Sequence, residues 1–227
     1  MAIAFGGVTN GTSGMTSPSV SGTDKIAVVH VHTYHSATHS VTGITWGGVA
    51  MTKLAHIGGA AFQKRCEIWY LVAPADGTAT VTVTYAGVSY LTAVTAAFYT
   101  GVHQSAPWGT AVGAVGNAAA PSVVVSSATD ELVIDSVVYD LNPVNGTASE
   151  GPGQTARWEH SPGSQSIRNR GSTEPGAASV TMSWTLYISG RDYALLAAPL
   201  KPAAGGGGGS FQPGWAARSN ILLPNAA

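Results

Sequence analysis

The chain has 227 residues, of which 9% are charged and 44% hydrophobic, and its formal net charge at pH 7 is −1. Average soluble proteins carry about 25% charged residues, so most of this surface must be Ser, Thr, Asn, Gly and Ala. Such a balance offers no basic field to phosphate backbones or anionic lipid, which argues against nucleic-acid and membrane partners.

From the start, M-A-I-A-F-G-G-V-T-N-G-T has neither a basic n-region nor an unbroken apolar h-region. No later run reaches bilayer length, so a soluble product of the cytoplasm is expected. The first strong element is I-A-V-V-H-V-H-T-Y, residues 26–34, which reads as a β-strand rich in β-branched residues. It opens a stretch, H-V-H-T-Y-H-S-A-T-H, that holds four of the seven histidines. In a strand His30 and His32 project to one face, a spacing that metal sites use, and His35 and His39 in the following connection would be a third and fourth ligand. No Asp or Glu lies nearby in sequence to orient the imidazoles. No metal or other cofactor is therefore assigned, and the histidines are expected to line a polar face or an interface.

Cys66, the single cysteine, opens C-E-I-W-Y-L-V and reads as a small buried hydrophobe, since one Cys forms neither an intrachain disulfide nor a CxxC knuckle. In A-T-V-T-V-T-Y, residues 79–85, Thr and Val alternate as in a half-buried strand. Residues 91–98, L-T-A-V-T-A-A-F, have some helical character, but strand-like neighbours and Gly101 make them a strand. L-V-I-D-S-V-V-Y and S-V-T-M-S-W-T-L complete an all-β pattern.

Two stretches repeat in the same order. S-P-S-V-S-G-T-D-K-I-A-V-V-H-V-H-T-Y matches A-P-S-V-V-V-S-S-A-T-D-E-L-V-I-D-S-V-V-Y, and G-T-A-T-V-T-V-T-Y matches G-A-A-S-V-T-M-S-W. Aligning Asp24 with Asp130 sets Ser136 at the place of His30 and Val138 at that of His32, so the repeated strand does not require histidine. The repeats, about residues 16–101 and 120–201, supply roughly four strands each, near the count of one jelly roll. A four-stranded half would bury little apolar area alone. The expected fold is thus a single two-sheet, jelly-roll-type sandwich over residues 1–202, built from two pseudo-repeated halves. Residues 203–210 form a Gly-rich tether, and residues 211–227 an extended apolar arm anchored by Phe211, Trp215, Ile221, Leu222 and Leu223. Two uses of the arm are open: it folds back on its own sandwich, or it crosses to a neighbouring subunit or another protein.

No G-x-S-x-G, Walker A, G-x-G-x-x-G or H-E-x-x-H motif occurs. Asp140 and Glu159 come nearest to the facing carboxylates of a glycosidase, but acids are so few, and so confined to strand ends and loops, that no enzyme is expected. Trp46, Trp108 and Trp158 are aromatics of a kind that stack on sugars, with Trp108 and Trp158 the candidate glycan contacts; core or interface is the commoner use of such residues.

Taken together, A-I-A-F, D-K-I-A-V-V-H-V-H, V-T-G-I-T-W-G-G-V-A-M-T-K-L, E-I-W-Y-L-V-A-P, A-A-F-Y-T-G-V-H-Q-S-A-P-W and Y-A-L-L-A-A-P-L-K-P resemble a family of β-sandwich proteins common in tailed phages and prophages. The resemblance covers nearly all of residues 1–202 and implies a virion-associated structural protein on the capsid surface or the tail. The histidine-rich strand departs from the family pattern, in which small or aromatic residues stand there. The expected function is that of a non-enzymatic capsid decoration (cement) protein, a homo-oligomer on the outer surface of the virion. Its partners would be the major capsid protein and copies of itself, with neither nucleic acid nor membrane. The alternative is a tail or head-fibre module that recognises host glycan.

Overall fold

The computed structural model describes residues 1–34, 40–59, 63–87, 91–140, 148–162, 167–187, 190 and 192–204. They form strands and no helix. In the first half these are β1 (Ala4–Gly11), β2 (Met15–Thr16), β3 (Ile26–Tyr34), β4 (Ser40–Trp46), β5 (Val49–Ala50), β6 (Thr52–Gly59), β7 (Lys64–Val72), β8 (Thr80–Ala86) and β9 (Leu91–Thr100). The second half has β10 (Val112–Gly116), β11 (Ser122–Val125), β12 (Leu132–Asp140), β13 (Ser149–Glu150), β14 (Thr155–His160), β15 (Ile167–Pro175), β16 (Val180–Thr185) and β17 (Tyr193–Leu200). The segment at 91–98 is strand, and β8 buries Val81 and Val83 while exposing Thr80, Thr82 and Thr84, as the alternation requires.

All pairings between named strands are antiparallel, but the described strands make four sheets instead of the expected two. Their orders are β1-β9-β3-β7-β6, β2-β8-β4-β5, β10-β17-β12-β15-β14 and β11-β16-β13. Substituting β10, β17, β12, β15 and β14 for β1, β9, β3, β7 and β6 reproduces the order of the larger sheet, and β11-β16-β13 follows β2-β8-β4 in the same way.

Three cores explain the count. Ala27, Val29 and Val31 of β3 pack with Val41, Trp46, Val81, Val83, Ala96 and Phe98 inside the first half. Val133, Val137 and Tyr139 of β12 pack with Met182, Trp184 and Leu195 inside the second. The alternate residues, Ile26 and Val28 of β3, Ile134 and Val138 of β12 and Leu196 of β17, meet in a third core where the two five-stranded sheets lie back to back. Strands β3, β12 and β17 are therefore covered on both faces, which is why they read as almost unbroken apolar runs. In one two-sheet sandwich those strands would have turned a face to water. The estimate of four strands per half also fell short, because β1 and β10 are glycine-rich and β2, β5 and β13 have only two residues each.

Candidate functional site

The densest set of chemically capable side chains lies in the seam between the five-stranded sheets. Strand alternation sends His30 and His32 to the same side as Ile26 and Val28, and both imidazoles are fully buried. Across β3 the neighbours of His30 are Thr95 on β9 and Ile68 on β7. The second half closes over it with Trp158, whose ring centroid lies 4.6 Å from that of His30 at an interplanar angle of 45°. Trp158 needs the space above Gly171, where an added Cβ would come within 1.9 Å of the indole. A register shift in β14 between Ala156 and Trp158 brings the indole opposite that glycine.

Further along the seam, His32 Nε2 is hydrogen-bonded to Ser136 Oγ of β12, and Cys66 Sγ donates to the Ser136 carbonyl at 3.6 Å. Thr95 Oγ1 donates to Asn10 Oδ1 at 2.9 Å, and Asn10 Nδ2 donates to the Glu159 carbonyl at 3.4 Å, so this chain also crosses between the halves. Asn169 of β15 is fully buried. Among the described residues nothing pairs with either of its amide atoms, with either ring nitrogen of His30, or with Nδ1 of His32.

Burial decides the charge states here. It lowers the His30 pKa to about 3. His32 is held well below the usual imidazole value, first by burial and then by repulsion from His30 and His160. Both rings are neutral at pH 7. The Cys66 thiol is pushed up to about 12 by burial, which leaves no thiolate for nucleophilic or redox chemistry. At the rim, Lys64, with a fully buried side chain, pairs with Asp140 of the other half at 2.5 Å and lies 4.0 Å from the centre of the Tyr34 ring.

Two buried carboxylates face the other way, into the half-cores. Glu67 accepts from Arg65 Nε at 2.5 Å and Trp69 Nε1 at 3.0 Å and pairs with Lys53 at 3.0 Å. Asp135 accepts from Ser172 N at 2.8 Å, Ser172 Oγ at 2.7 Å, Trp184 Nε1 at 2.7 Å and Gln154 Nε2 at 3.4 Å. Burial raises its pKa to about 7 although the Ser172 and Trp184 donors favour the ionised form. Each carboxylate is enclosed by its own donors and stitches strands together.

Several candidates from the sequence fall elsewhere. His30 and His32 do share a face, while His35 and His39 lie outside the described residues; among those described, no three His, Cys, Asp or Glu are placed to hold a metal ion. Trp158 is not a solvent-facing glycan platform: at 5% exposure it is consumed by His30 and Gly171. Trp46 is buried as well. Trp108, the other proposed glycan contact, bridges to Leu200 and sets its ring against Tyr70 at 5.8 Å, packed on the central core. Asp140 and Glu159 do not face each other across a cleft. They stand on β12 and β14 with β15 between them, Asp140 paired with Lys64 and Glu159 with Arg168 at 3.1 Å and Arg170 at 2.9 Å. Phe211, Trp215, Ile221, Leu222 and Leu223 lie outside the described residues.

Glu67, Asn169 and Asp135 emerge as buried polar centres that the sequence did not single out for a role. A carboxylate two residues before a Trp, as in Glu67 and Trp69, was the one local signal. No family model, curated protein or solved structure matches the chain.

Proposed function

We propose that this chain is a non-enzymatic structural component of a phage particle, a capsid decoration protein that contacts the shell and its own copies. Among the described residues His32, Cys66, Asp135 and the Lys64–Asp140 pair are spent in joining sheets, and the His30 ring is covered by Trp158 of the other half. What that chemistry produces is a block held together through its centre, with a glycine tether and an apolar arm beyond it. A block with a leash suits multivalent attachment, in which many weak contacts add up on a shared surface. The burial of Trp158 and the packing of Trp108 speak against these two side chains as the contacts of a glycan-binding tail module.

Counting β5 and β6 as one interrupted strand, each half places its first strand beside its eighth, the eighth beside the third and the third beside the sixth. The second stands beside the seventh and the seventh beside the fourth, the neighbours that a jelly roll of two Greek keys has. That order, with the repeated P-S-V and Asp landmarks, supports two jelly-roll units in tandem rather than one.

Microscopy of purified particles tests the function. Density for the block at regular positions on the shell is expected, together with reduced occupancy when the chain is truncated after Pro202. Full occupancy by the truncated chain, or density confined to the tail, would overturn it.

A further inference from the structure

The described chain ends beside a groove of about 600 Å³ that none of the interactions above uses. Ile3, Leu132 and Pro175 line it, together with Pro202 and Ala203 near the end of the described chain. A volume in the range of ligand pockets, with mostly apolar lining, suits large side chains better than a polar ligand. Its polar side is acidic: Asp130 is exposed, and Glu131 Oε2 accepts from the Ala128 N–H at 3.0 Å.

The 23 residues from 205 to 227 begin at this rim, and they complement it. Residues 211–227 contain two aromatic and three large aliphatic side chains, and Arg218 is their single charged side chain. Gly205 to Ser210 is by composition a six-residue Gly-rich spacer, and a chain of that kind spans about 12–15 Å r.m.s.. An arm held on so short a leash is present at its own groove at a concentration on the order of millimolar, far above that of a second copy in dilute solution.

We infer that in the free chain this groove is the seat of the chain's own C-terminal arm, with apolar anchors in the groove and Arg218 against Asp130 and Glu131. The inference rests on the arm being a docking segment, as in the function proposed above, and not on the particle to which the protein belongs. Apolar area supplies the affinity, and the single charge pair sets the orientation. Attachment to a shell would then begin with release of the arm.

Disulfide trapping in the purified full-length chain tests this, because Cys66 is buried and does not compete. Thr129→Cys lies at the groove, and Thr42→Cys is an exposed position on the four-stranded sheet. Each is combined with Asn220→Cys and oxidised mildly at micromolar concentration. The 129–220 pair should close within one chain at least tenfold faster than the 42–220 pair, at a rate independent of protein concentration. Arg218→Glu should slow that closure about threefold, and adding Asp130→Lys should restore it. Equal rates for the two pairs, or a 129–220 rate that Arg218→Glu leaves unchanged, would mean that the arm has no seat, and disulfide-linked dimers as the main product would place it on a second copy. Any of these results overturns the inference. None bears on where the protein sits in particles, so the two readings fail separately.

Discussion

Replacing His30 with leucine should stabilise the protein. The imidazole is fully buried and neutral, and neither its N–H nor its acceptor nitrogen has a partner among the described residues. An unsatisfied buried polar group costs about 1–3 kcal/mol, so two set an upper relief of roughly 2–6 kcal/mol. Against this stand the tilted contact with Trp158, worth about 0.5–1.5 kcal/mol, and the imperfect fit of a branched side chain in a planar site, about 1.5 kcal/mol or less. The net is a gain of about 1–3 kcal/mol. For a protein of this size each kcal/mol moves Tm by about 2–4 °C, so calorimetry at pH 7 should show a rise of several degrees. The urea midpoint should move up with an unchanged m-value. His30→Asn, which keeps the unmet polar groups, should give no gain. A fall in Tm of more than about 3 °C for His30→Leu would refute the reasoning, because it would mean that the ring nitrogens are satisfied and that the seam depends on them.

The pH profile follows from the same groups. Between pH 6.5 and about 3 the unfolded chain takes up a proton at His30 that the folded chain refuses, so this residue alone makes stability fall as pH drops, by about 5 kcal/mol in all. His32 acts in the same direction. Asp135 acts oppositely: with a folded pKa of about 7 against 3.8, the folded state holds the extra proton, and stability falls as pH rises through that window. Two histidines against one aspartic acid leave a net uptake of about one proton on unfolding, so the wild type should lose stability as pH falls from 6.5 to 4, and Asp135→Asn should make that slope about twice as steep; chemical denaturation across pH checks both. At pH 7 Asp135→Asn should also cost about 1–3 kcal/mol, since an amide nitrogen then faces the Trp184 or Ser172 donors. Gly171→Ala should lower Tm by several degrees through displacement of Trp158, with an altered near-ultraviolet circular dichroism spectrum as its signature. Lys64→Met should be milder than Asp140→Ala, because the first leaves a partly exposed carboxylate and the second a buried ammonium that has lost its ion pair and keeps only the Tyr34 ring and the field of Asp192.

How far the fold could be read in advance depended on how many faces of a strand meet water. T-V-T-V-T announces one wet face and one dry face, and β8 has both. I-A-V-V-H-V and Y-A-L-L-A-A-P-L announce two dry faces, which a two-sheet sandwich cannot provide; taken at face value, these runs already implied additional layers. β15, I-R-N-R-G-S-T-E-P, hid for the opposite reason. Arg168 and Arg170 look like surface charges, yet both pair with Glu159 on the neighbouring β14, while Asn169 and Gly171 point into the seam. The shared face of His30 and His32 was visible from a two-residue spacing. Their partners were not: Ser136 lies 104 residues from His32, and no local pattern records a contact created by packing two sheets back to back.

The doubly covered sheets also decide where this protein is free to vary. A substitution in β3, β12 or β17 must satisfy two cores at once, so the centre of the block should change slowly among descendants of this sequence. The hydroxyl-bearing outer rows, such as Thr80, Thr82 and Thr84, answer to one core, whereas Gly47 and Gly48, with φ of +59° and +83°, are held to glycine by their turn. New surface chemistry therefore has its natural entry on those exposed threonines, on a sheet whose described residues contribute nothing to the seam holding the halves together.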